Sequence, residues 1–206
     1  MRATTSRLTV ALASLALILG VTAVLSPARA DGPERVVLPS AILHVDDGDT
    51  IRIDWPGKDA EEIRILGIDT PEVLHLDHNL PFPQPFGDKA TGFLQGCLAA
   101  STRVELLRSG NKDKYGRTLG YIYVNGKNYS ELVIAARLAY GPSPRFGDNG
   151  LPQQFKACLE AAKKAGTPPF EPPWQYRKRM REVTKQMKAE GTYPKGPSDE
   201  KDDAKK

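Results

Sequence analysis

Short apolar runs separated by turn residues fill the first part of the chain. Residues 36–38, 41–45 and 50–54 are rich in aliphatic and β-branched side chains, and an Asp-Asp-Gly turn lies between the second and third runs. Residues 62–68 at first alternate long polar with apolar positions, as a half-buried strand does. The pattern therefore predicts a meander of short strands.

Helical periodicity begins after a proline-rich stretch at residues 70–86, which is predicted to be a loop. Residues 88–100 place their apolar side chains on one face, as an amphipathic helix does. Residues 130–139 form a shorter helical pattern with Ser130 as its candidate N-cap, and a third pattern covers 151–164. Gly166 follows this third pattern as a helix-ending residue.

Two more strands are predicted between these helices. Residues 102–107 form the first, residues 108–117 are a polar, turn-rich loop, and residues 119–124 form the second. The dipeptide Asn125-Gly126 then gives the strongest hairpin signal in the chain. Five short strands with interspersed helices predict an α+β fold that is mainly β, for which an OB-fold barrel is suitable. Periodicity alone does not separate an OB-fold from other small α+β barrels.

The N-terminus has the layout of a secretory signal peptide. Arg2 and Arg7 precede an apolar run at residues 8–25, and Ala28-Arg29-Ala30 forms a small-residue cleavage site. We expect a signal peptide at residues 1–30, with a secreted or periplasmic product that has no stable membrane association. An uncleaved membrane anchor is the alternative, since the run is at the short edge of spanning length.

Charge and cysteine content limit the interpretation. The net charge is +4, but the predicted signal peptide holds three arginines and no acid, so the remainder carries 26 basic and 25 acidic residues, or +1. A nearly neutral body gives no general argument for nucleic-acid binding.

After export, Cys97 and Cys158 would meet an oxidising compartment, and the sequence leaves open whether they form a disulfide or two buried thiols.

Composition changes at residue 167, which divides a domain at 31–166 from a tail at 167–206. Prolines dominate the first residues of the tail, and residues 174–190 then form a basic helix candidate before a polar end. Aromatic side chains among the basic residues of this helix could stack on nucleotides. We favour instead a solubilising amphipathic helix with Trp174 packed on the barrel, because acidic residues dilute its charge.

Three polar segments are candidates for chemistry, because each lies at a strand end or in an adjoining turn. They are Asp46-Asp47-Gly48-Asp49-Thr50, Arg64-Ile65-Leu66-Gly67-Ile68-Asp69-Thr70-Pro71-Glu72 and Asp113-Lys114-Tyr115-Gly116-Arg117. Strand ends hold side chains rigidly while leaving them open to solvent. Each segment alone is more often structural than catalytic, so the weight rests on their joint occurrence.

The residue types in these segments form a set suited to phosphoryl transfer. Asp49 and Asp69 are hard oxygen ligands of the kind that Ca²⁺ or Mg²⁺ prefers. Glu72 follows Asp69 closely enough to act as a general base on water beside the ion. Arg64 and Arg117 offer planar guanidinium groups that pair with phosphate oxygens. Together they predict metal-assisted attack on a phosphoryl group.

The motifs Asp-Gly-Asp-Thr, Arg-x₄-Asp-Thr-Pro-Glu and Asp-Lys-Tyr-Gly-Arg closely resemble those of the staphylococcal (micrococcal) nuclease, or thermonuclease, family. The resemblance covers residues 41–166, and in combination the motifs are highly specific. It implies an OB-fold barrel of five strands with three helices. It also implies Ca²⁺-dependent hydrolysis of phosphodiester bonds in DNA and RNA, and we expect a monomer.

The resemblance also implies the roles of individual residues. Asp49, Asp69 and the backbone carbonyl of Thr70 would bind Ca²⁺, and Glu72 would activate or orient the attacking water. The remaining matched positions face the substrate. Arg64 would stabilise the charge on the phosphate, Arg117 would do so near the leaving 5′ oxygen, and Lys114 and Tyr115 would contact a terminal phosphate or its nucleotide.

Residues 73–85 depart from the family pattern, which has a basic loop here. This chain has prolines and the cluster His75, Asp77 and His78 instead. The cluster is either a second metal site or, as we favour, a solvated loop.

The predicted function is therefore an exported Ca²⁺-dependent endonuclease, a hydrolase. The alternative is a non-catalytic OB-fold module that binds oligonucleotides or an anionic polysaccharide. The sequence does not decide between DNA and RNA, or between endo and exo action.

Overall fold

One curled sheet organises the residues that the structure describes, which are 34–195 of this computed structural model. The predicted signal peptide at 1–30 and the end of the tail lie outside these residues. The strands are β1 Arg35–Leu38, β2 Leu43–Val45, β3 Thr50–Ile53, β4 Glu61–Ile65, β5 Val104–Lys112, β6 Thr118–Val124 and β7 Lys127–Asn128. Their order is β1-β5-β6-β4-β3-β2, with β7 on β6. All neighbouring pairs are antiparallel except β4 and β6, which are parallel.

Four helices accompany the sheet in the described part of the chain. They are α1 Gly87–Ala99, α2 Tyr129–Ala135, α3 Pro152–Ala165 and α4 Pro173–Ala189. A curled mixed sheet with these helices confirms the predicted α+β, OB-type fold. The strand count is seven rather than five, because the first apolar runs form separate strands and Asn125-Gly126 turns the chain into the short β7.

Helix α2 differs from its prediction at both ends. Its N-cap is Asn128 rather than Ser130, since the Asn128 side chain accepts a hydrogen bond from the Ser130 amide at 3.0 Å. It also ends earlier than residue 139. Arg137 takes a left-handed conformation, and the Leu138 amide donates back to the carbonyl oxygen of Val133, which closes the helix.

Strand β5 continues into the residues that were predicted to be a loop. Its pairing with β6 becomes irregular between Arg108 and Lys112, where Gly110 has a positive φ. The turn itself is shorter, and Asp113 accepts hydrogen bonds from the amides of Tyr115 and Arg117. The prediction failed here because polar residues on a bent, half-exposed strand resemble a loop in sequence.

The hydrophobic core is formed by the sheet and helices α1 to α3. The largest fully buried side chains include Tyr121, Tyr129, Ile51, Ile53, Ile63, Ile65, Leu94, Leu106, Leu107, Ile122, Ile134 and Val104. Gly67 lets the chain leave β4 tightly against this core. It has φ +81°, and a Cβ there would lie 2.7 Å from the Cys158 sulfur and 2.9 Å from the Tyr121 ring. The residues after β4 are thus fixed in position by packing.

Both cysteines are free thiols in the structure. Burial raises the pKa of Cys97 and raises that of Cys158 to about 12, so neither is an activated thiolate. Of the two alternatives, a disulfide or two thiols, the structure has two thiols.

The predicted tail helix exists as α4 and packs mainly on the proline-rich loop. Tyr176 and Met180 are buried against Leu80, and the Tyr176 hydroxyl donates to the Phe82 carbonyl oxygen at 2.9 Å. Trp174 is half exposed and meets Tyr140 edge to face. The loop is therefore held by the helix that follows the barrel. Within residues 34–195, none of the helices combines the length and apolar character needed to cross a bilayer.

Candidate active site

Arg64 on β4 is the centre of the candidate site. Its guanidinium forms an ion pair with Asp49 and lies 3.5 Å from Asp69. It also donates hydrogen bonds to the backbone oxygens of Asp49 at 3.2 Å and Ile68 at 3.1 Å. Because Thr50 pairs with Arg64 across β3 and β4, Asp49 comes beside the strand end that leads to Asp69. The structure thus gathers both predicted metal-binding carboxylates around one side chain.

Asp49 is almost fully buried and held in one orientation. Its Oδ2 accepts a hydrogen bond from the Thr70 backbone amide at 2.9 Å. The preceding residue must be small, because a Cβ on Gly48 would lie 2.8 Å from the Ala90 Cβ. The Tyr129 hydroxyl donates to the Gly48 carbonyl oxygen at 2.8 Å. Packing therefore fixes the turn that carries Asp49.

A further carboxylate, Asp47, lies against this turn and was not among the predicted site residues. Its Oδ1 accepts a hydrogen bond from the Asp49 amide at 2.8 Å. Burial raises the pKa of Asp47, and the negative charge of Asp49 raises it further. Both effects favour the neutral form of Asp47 in the absence of a cation. The repeated aspartates of this turn were the sequence feature that could have identified Asp47.

Glu72 is close to Asp69, and both contact an arginine that sequence reasoning missed. Arg177 on α4 forms an ion pair with Glu72 and donates to the two carboxylate oxygens of Asp69 at 3.0 and 2.9 Å. Burial raises the pKa of Glu72, and the Arg177 charge opposes that rise. The signal for Arg177 was the basic, aromatic composition of the tail helix, which does not distinguish one arginine from another.

The predicted substrate-binding residues lie at the rim of this cluster. Arg117 pairs with Asp113 at 2.8 Å and comes within 3.5 Å of the Thr50 hydroxyl. Lys114 and Arg117 lie 4.8 and 5.6 Å from the centre of the Tyr115 ring, which is 73% exposed. Through Arg117, this turn with its exposed aromatic ring and cations reaches Thr50, the residue that follows Asp49.

The donor atoms fit a hard divalent cation. Asp49, Asp69 and the Thr70 carbonyl offer only oxygen, which is what Ca²⁺ and Mg²⁺ prefer, with water completing the shell. Among residues 34–195, no three His, Cys, Asp or Glu side chains are grouped as a metal site. A cation here would thus depend on two carboxylates and a backbone oxygen.

The cluster of histidines in the proline-rich loop is separate. The rings of His75 and His78 stack at 3.7 Å, nearly parallel. Whether this cluster is a second metal site or a solvated loop stays a prediction.

Comparisons with known proteins agree with this geometry. The model of the family described as Staphylococcal nuclease homologue matches residues 62–167. This range includes Arg64, Asp69, Glu72 and Arg117 but neither Asp49 nor Arg177.

Several curated relatives carry nuclease names. A thermonuclease of Staphylococcus intermedius is 37% identical over 110 residues, which cover 51% of this chain and 62% of the relative. Endonuclease YncB of Bacillus subtilis (strain 168) is 34% identical over 123 residues, covering 57% of this chain and 54% of the relative. The chain spans about half the length of the curated relatives it matches. Since the family model covers more than half of its residues, the chain belongs to the staphylococcal nuclease family.

Proposed function

We propose that this protein is a Ca²⁺-dependent endonuclease that hydrolyses phosphodiester bonds in DNA and RNA and acts as a monomer. One observation carries the proposal: the Arg64 guanidinium contacts Asp49 and Asp69 together. The two carboxylates that we propose as cation ligands and the guanidinium that we propose to bind phosphate therefore lie side by side. Family membership and the nuclease names of the relatives support the reaction class.

Asp49, Asp69 and the Thr70 carbonyl would hold the cation. When bound, Ca²⁺ polarises a phosphoryl oxygen and offsets the charge that develops there during attack. The burial of Asp49 and its hydrogen bond from the Thr70 amide hold it in place before substrate arrives. This preorganisation is what makes electrostatic stabilisation effective.

Glu72 would act as the general base. A water oxygen attacks phosphorus while the Glu72 carboxylate accepts its proton, and the bond from phosphorus to the leaving oxygen breaks in line. Glu72 and Asp69 share the Arg177 guanidinium, which places this carboxylate beside a proposed cation ligand. Arg64 and Arg117 then stabilise the negative charge shared by the phosphoryl oxygens.

Tyr115 and Lys114 would contact the nucleotide. An exposed ring beside two cations can stack on any base while the cations meet phosphate, which favours broad substrate use. Both DNA and RNA are therefore the proposed substrates.

A gel assay on the purified protein separates this proposal from a binding-only OB module. Single-stranded DNA and RNA are incubated with Ca²⁺ or with a chelator. We expect degradation with Ca²⁺ and none with the chelator. Bands that are retarded but uncut in Ca²⁺ would overturn the proposal in favour of the binding module.

We further propose export. The proposal rests on the charged, apolar and small-residue segments of residues 1–30. Mass spectrometry of the mature protein from its native cells should find Asp31 at the N-terminus. A chain that keeps residues 8–25 would instead be a membrane-anchored nuclease.

A further inference from the structure

Arg177 joins the two carboxylates on which the proposed reaction depends. Its guanidinium donates to Oδ1 and Oδ2 of Asp69 at 3.0 and 2.9 Å and forms an ion pair with Oε1 of Glu72. These partners are more than 100 residues away in sequence. The contact therefore exists only because helix α4 lies against the site.

Packing on α4 determines where Arg177 lies. Tyr176 beside it and Met180 below it are buried, and the Thr184 hydroxyl donates to the Asn79 carbonyl oxygen at 3.0 Å. The helix is thus anchored at several points along its length. The anchored helix therefore determines the position of Arg177 in the site.

A second connection joins the tail to Glu72. The Gln84 side chain accepts a hydrogen bond from the Glu72 amide at 3.2 Å and donates to the Glu171 carbonyl oxygen at 2.5 Å. The tail therefore holds the Glu72 carboxylate directly through Arg177 and its backbone amide indirectly through Gln84.

The contacts leave room for the proposed chemistry. An ionised carboxylate has about four lone-pair positions, so Asp69 can accept hydrogen bonds from Arg177 and still bind a cation. The Arg177 contact is to Oε1 of Glu72, so Oε2 can take the proton from water. Groups that hydrogen-bond to metal ligands commonly orient them.

We propose that Arg177 is a positioning residue that holds Asp69 and Glu72 at a fixed separation, which makes helix α4 part of the active site. The helix lies beyond the residues that match the family model, which end at 167. The inference rests on the proposed function, because it assigns Arg177 a role in that reaction.

Three variants test the inference on the full mature chain with single-stranded DNA and Ca²⁺. Arg177→Gln should lower kcat about 10- to 100-fold with little change in KM. Arg177→Lys should be similarly impaired, because a single ammonium does not bridge two carboxylates as a guanidinium does. The matched control is Arg181→Gln, an exposed arginine on the same helix, which should cleave at the wild-type rate.

A double-mutant cycle separates positioning from a general loss of structure. In a Glu72→Gln background, Arg177→Gln should lower kcat much less than it does alone, because its partner has already lost its charge. Without metal or substrate, Arg177→Gln should lower the urea midpoint in the wild type but much less in an Asp69→Asn/Glu72→Gln background. If Arg177→Gln unfolds the protein, Arg177→Lys keeps the charge and supplies the kinetic comparison.

The outcomes are distinguishable. If the wild type cleaves and Arg177→Gln cleaves at the same rate or faster, the inference is overturned while the proposed function stands. A faster rate would show that the Arg177 contact is inhibitory. Additive effects in either cycle would also overturn it, since they would show that Arg177 does not act through these carboxylates. If the wild type fails to cleave while the stability cycle remains coupled, the proposed function fails and the positioning role with it.

Discussion

Arg64 shows how one partly buried side chain can organise a site. Burial disfavours its charge, but the nearby carboxylates of Asp49 and Asp69 raise its pKa overall, so it stays protonated. Its remaining donors contact backbone oxygens at the ends of two strands. A guanidinium has five N–H groups in a rigid plane, and this arrangement uses them to join ligand carboxylates to the backbone.

Replacement of Glu72 by glutamine tests its proposed role at this scale. The amide cannot accept a proton, so kcat for single-stranded DNA should fall about 10²- to 10⁴-fold, the usual contribution of a general base. Glu62→Gln, an exposed glutamate on β4, is the control and should cleave normally. Wild-type turnover by Glu72→Gln would remove Glu72 from the mechanism.

Sequence motifs identified most of the residues that meet in the candidate site, but not all of them. Asp49, Arg64, Asp69 and Glu72 lie together as their strand-end positions predicted. Arg177 could not be identified from the sequence, because the tail has several basic residues at similar spacing. Only tertiary packing determines which of them contacts the carboxylates. Local patterns report which residues can do chemistry, whereas long-range contacts decide which of them meet.

At the scale of elements, one ion pair connects two strands that are not neighbours in the sheet. Arg108 on β5 donates to both carboxylate oxygens of Glu61 on β4, at 3.0 and 2.6 Å, and the Trp55 indole donates to Glu61 at 2.8 Å. The Arg108 hydrogen bonds lower the pKa of Glu61 to about 2, although partial burial opposes them.

This network predicts a pH-dependent stability. A carboxylate whose folded pKa is depressed stabilises the protein above its unfolded pKa and loses that effect as pH falls toward the folded value. Glu61→Gln should therefore lower the free energy of unfolding by about 1 kcal/mol at pH 7, after allowance for solvent screening. The difference from wild type should shrink between pH 4.5 and about 2 in urea titrations. A difference that stays constant over that range would contradict the ion pair.

Helix α4 and the proline-rich loop should loosen together. Met180→Ala removes a buried side chain from the small cluster with Leu80 and Tyr176, at a cost of about 2 kcal/mol. Local opening of both segments should then rise about 30-fold, as measured by amide hydrogen exchange in residues 76–82 and 173–189. Lys178→Ala, an exposed change on the same helix, should leave exchange unaltered. Faster exchange in the helix alone would show that the loop does not depend on it.

Elements with strong local signals were predicted well. Helix α3 begins and ends within one residue of its predicted bounds, since Gly166 adopts the positive φ that closes it. Helix α2 and strand β5 were wrong where non-local contacts override the pattern. In α2 the chain turns at Arg137 to run antiparallel past Asp69, with which Tyr140 forms a β-bridge.

At the scale of the whole molecule, charged residues that are far apart in the sequence meet in one place. Three carboxylates, Asp49, Asp69 and Glu72, share two guanidinium groups, Arg64 and Arg177, in a partly buried site. Such a cluster has a deficit of positive charge that a divalent cation can correct and a phosphodiester can then balance. The residues that form it come from the barrel and from the helix that follows it.

The dependence of cleavage rate on Ca²⁺ concentration tests this account most directly, with the wild type compared with Asp49→Asn on single-stranded DNA. We predict no cleavage by the wild type in chelator, a saturating rise with Ca²⁺, and a curve displaced to higher Ca²⁺ by at least about tenfold when Asp49 loses its charge. Cleavage that persists in chelator, or an Asp49→Asn curve that coincides with that of the wild type, would contradict a cation held between these two aspartates.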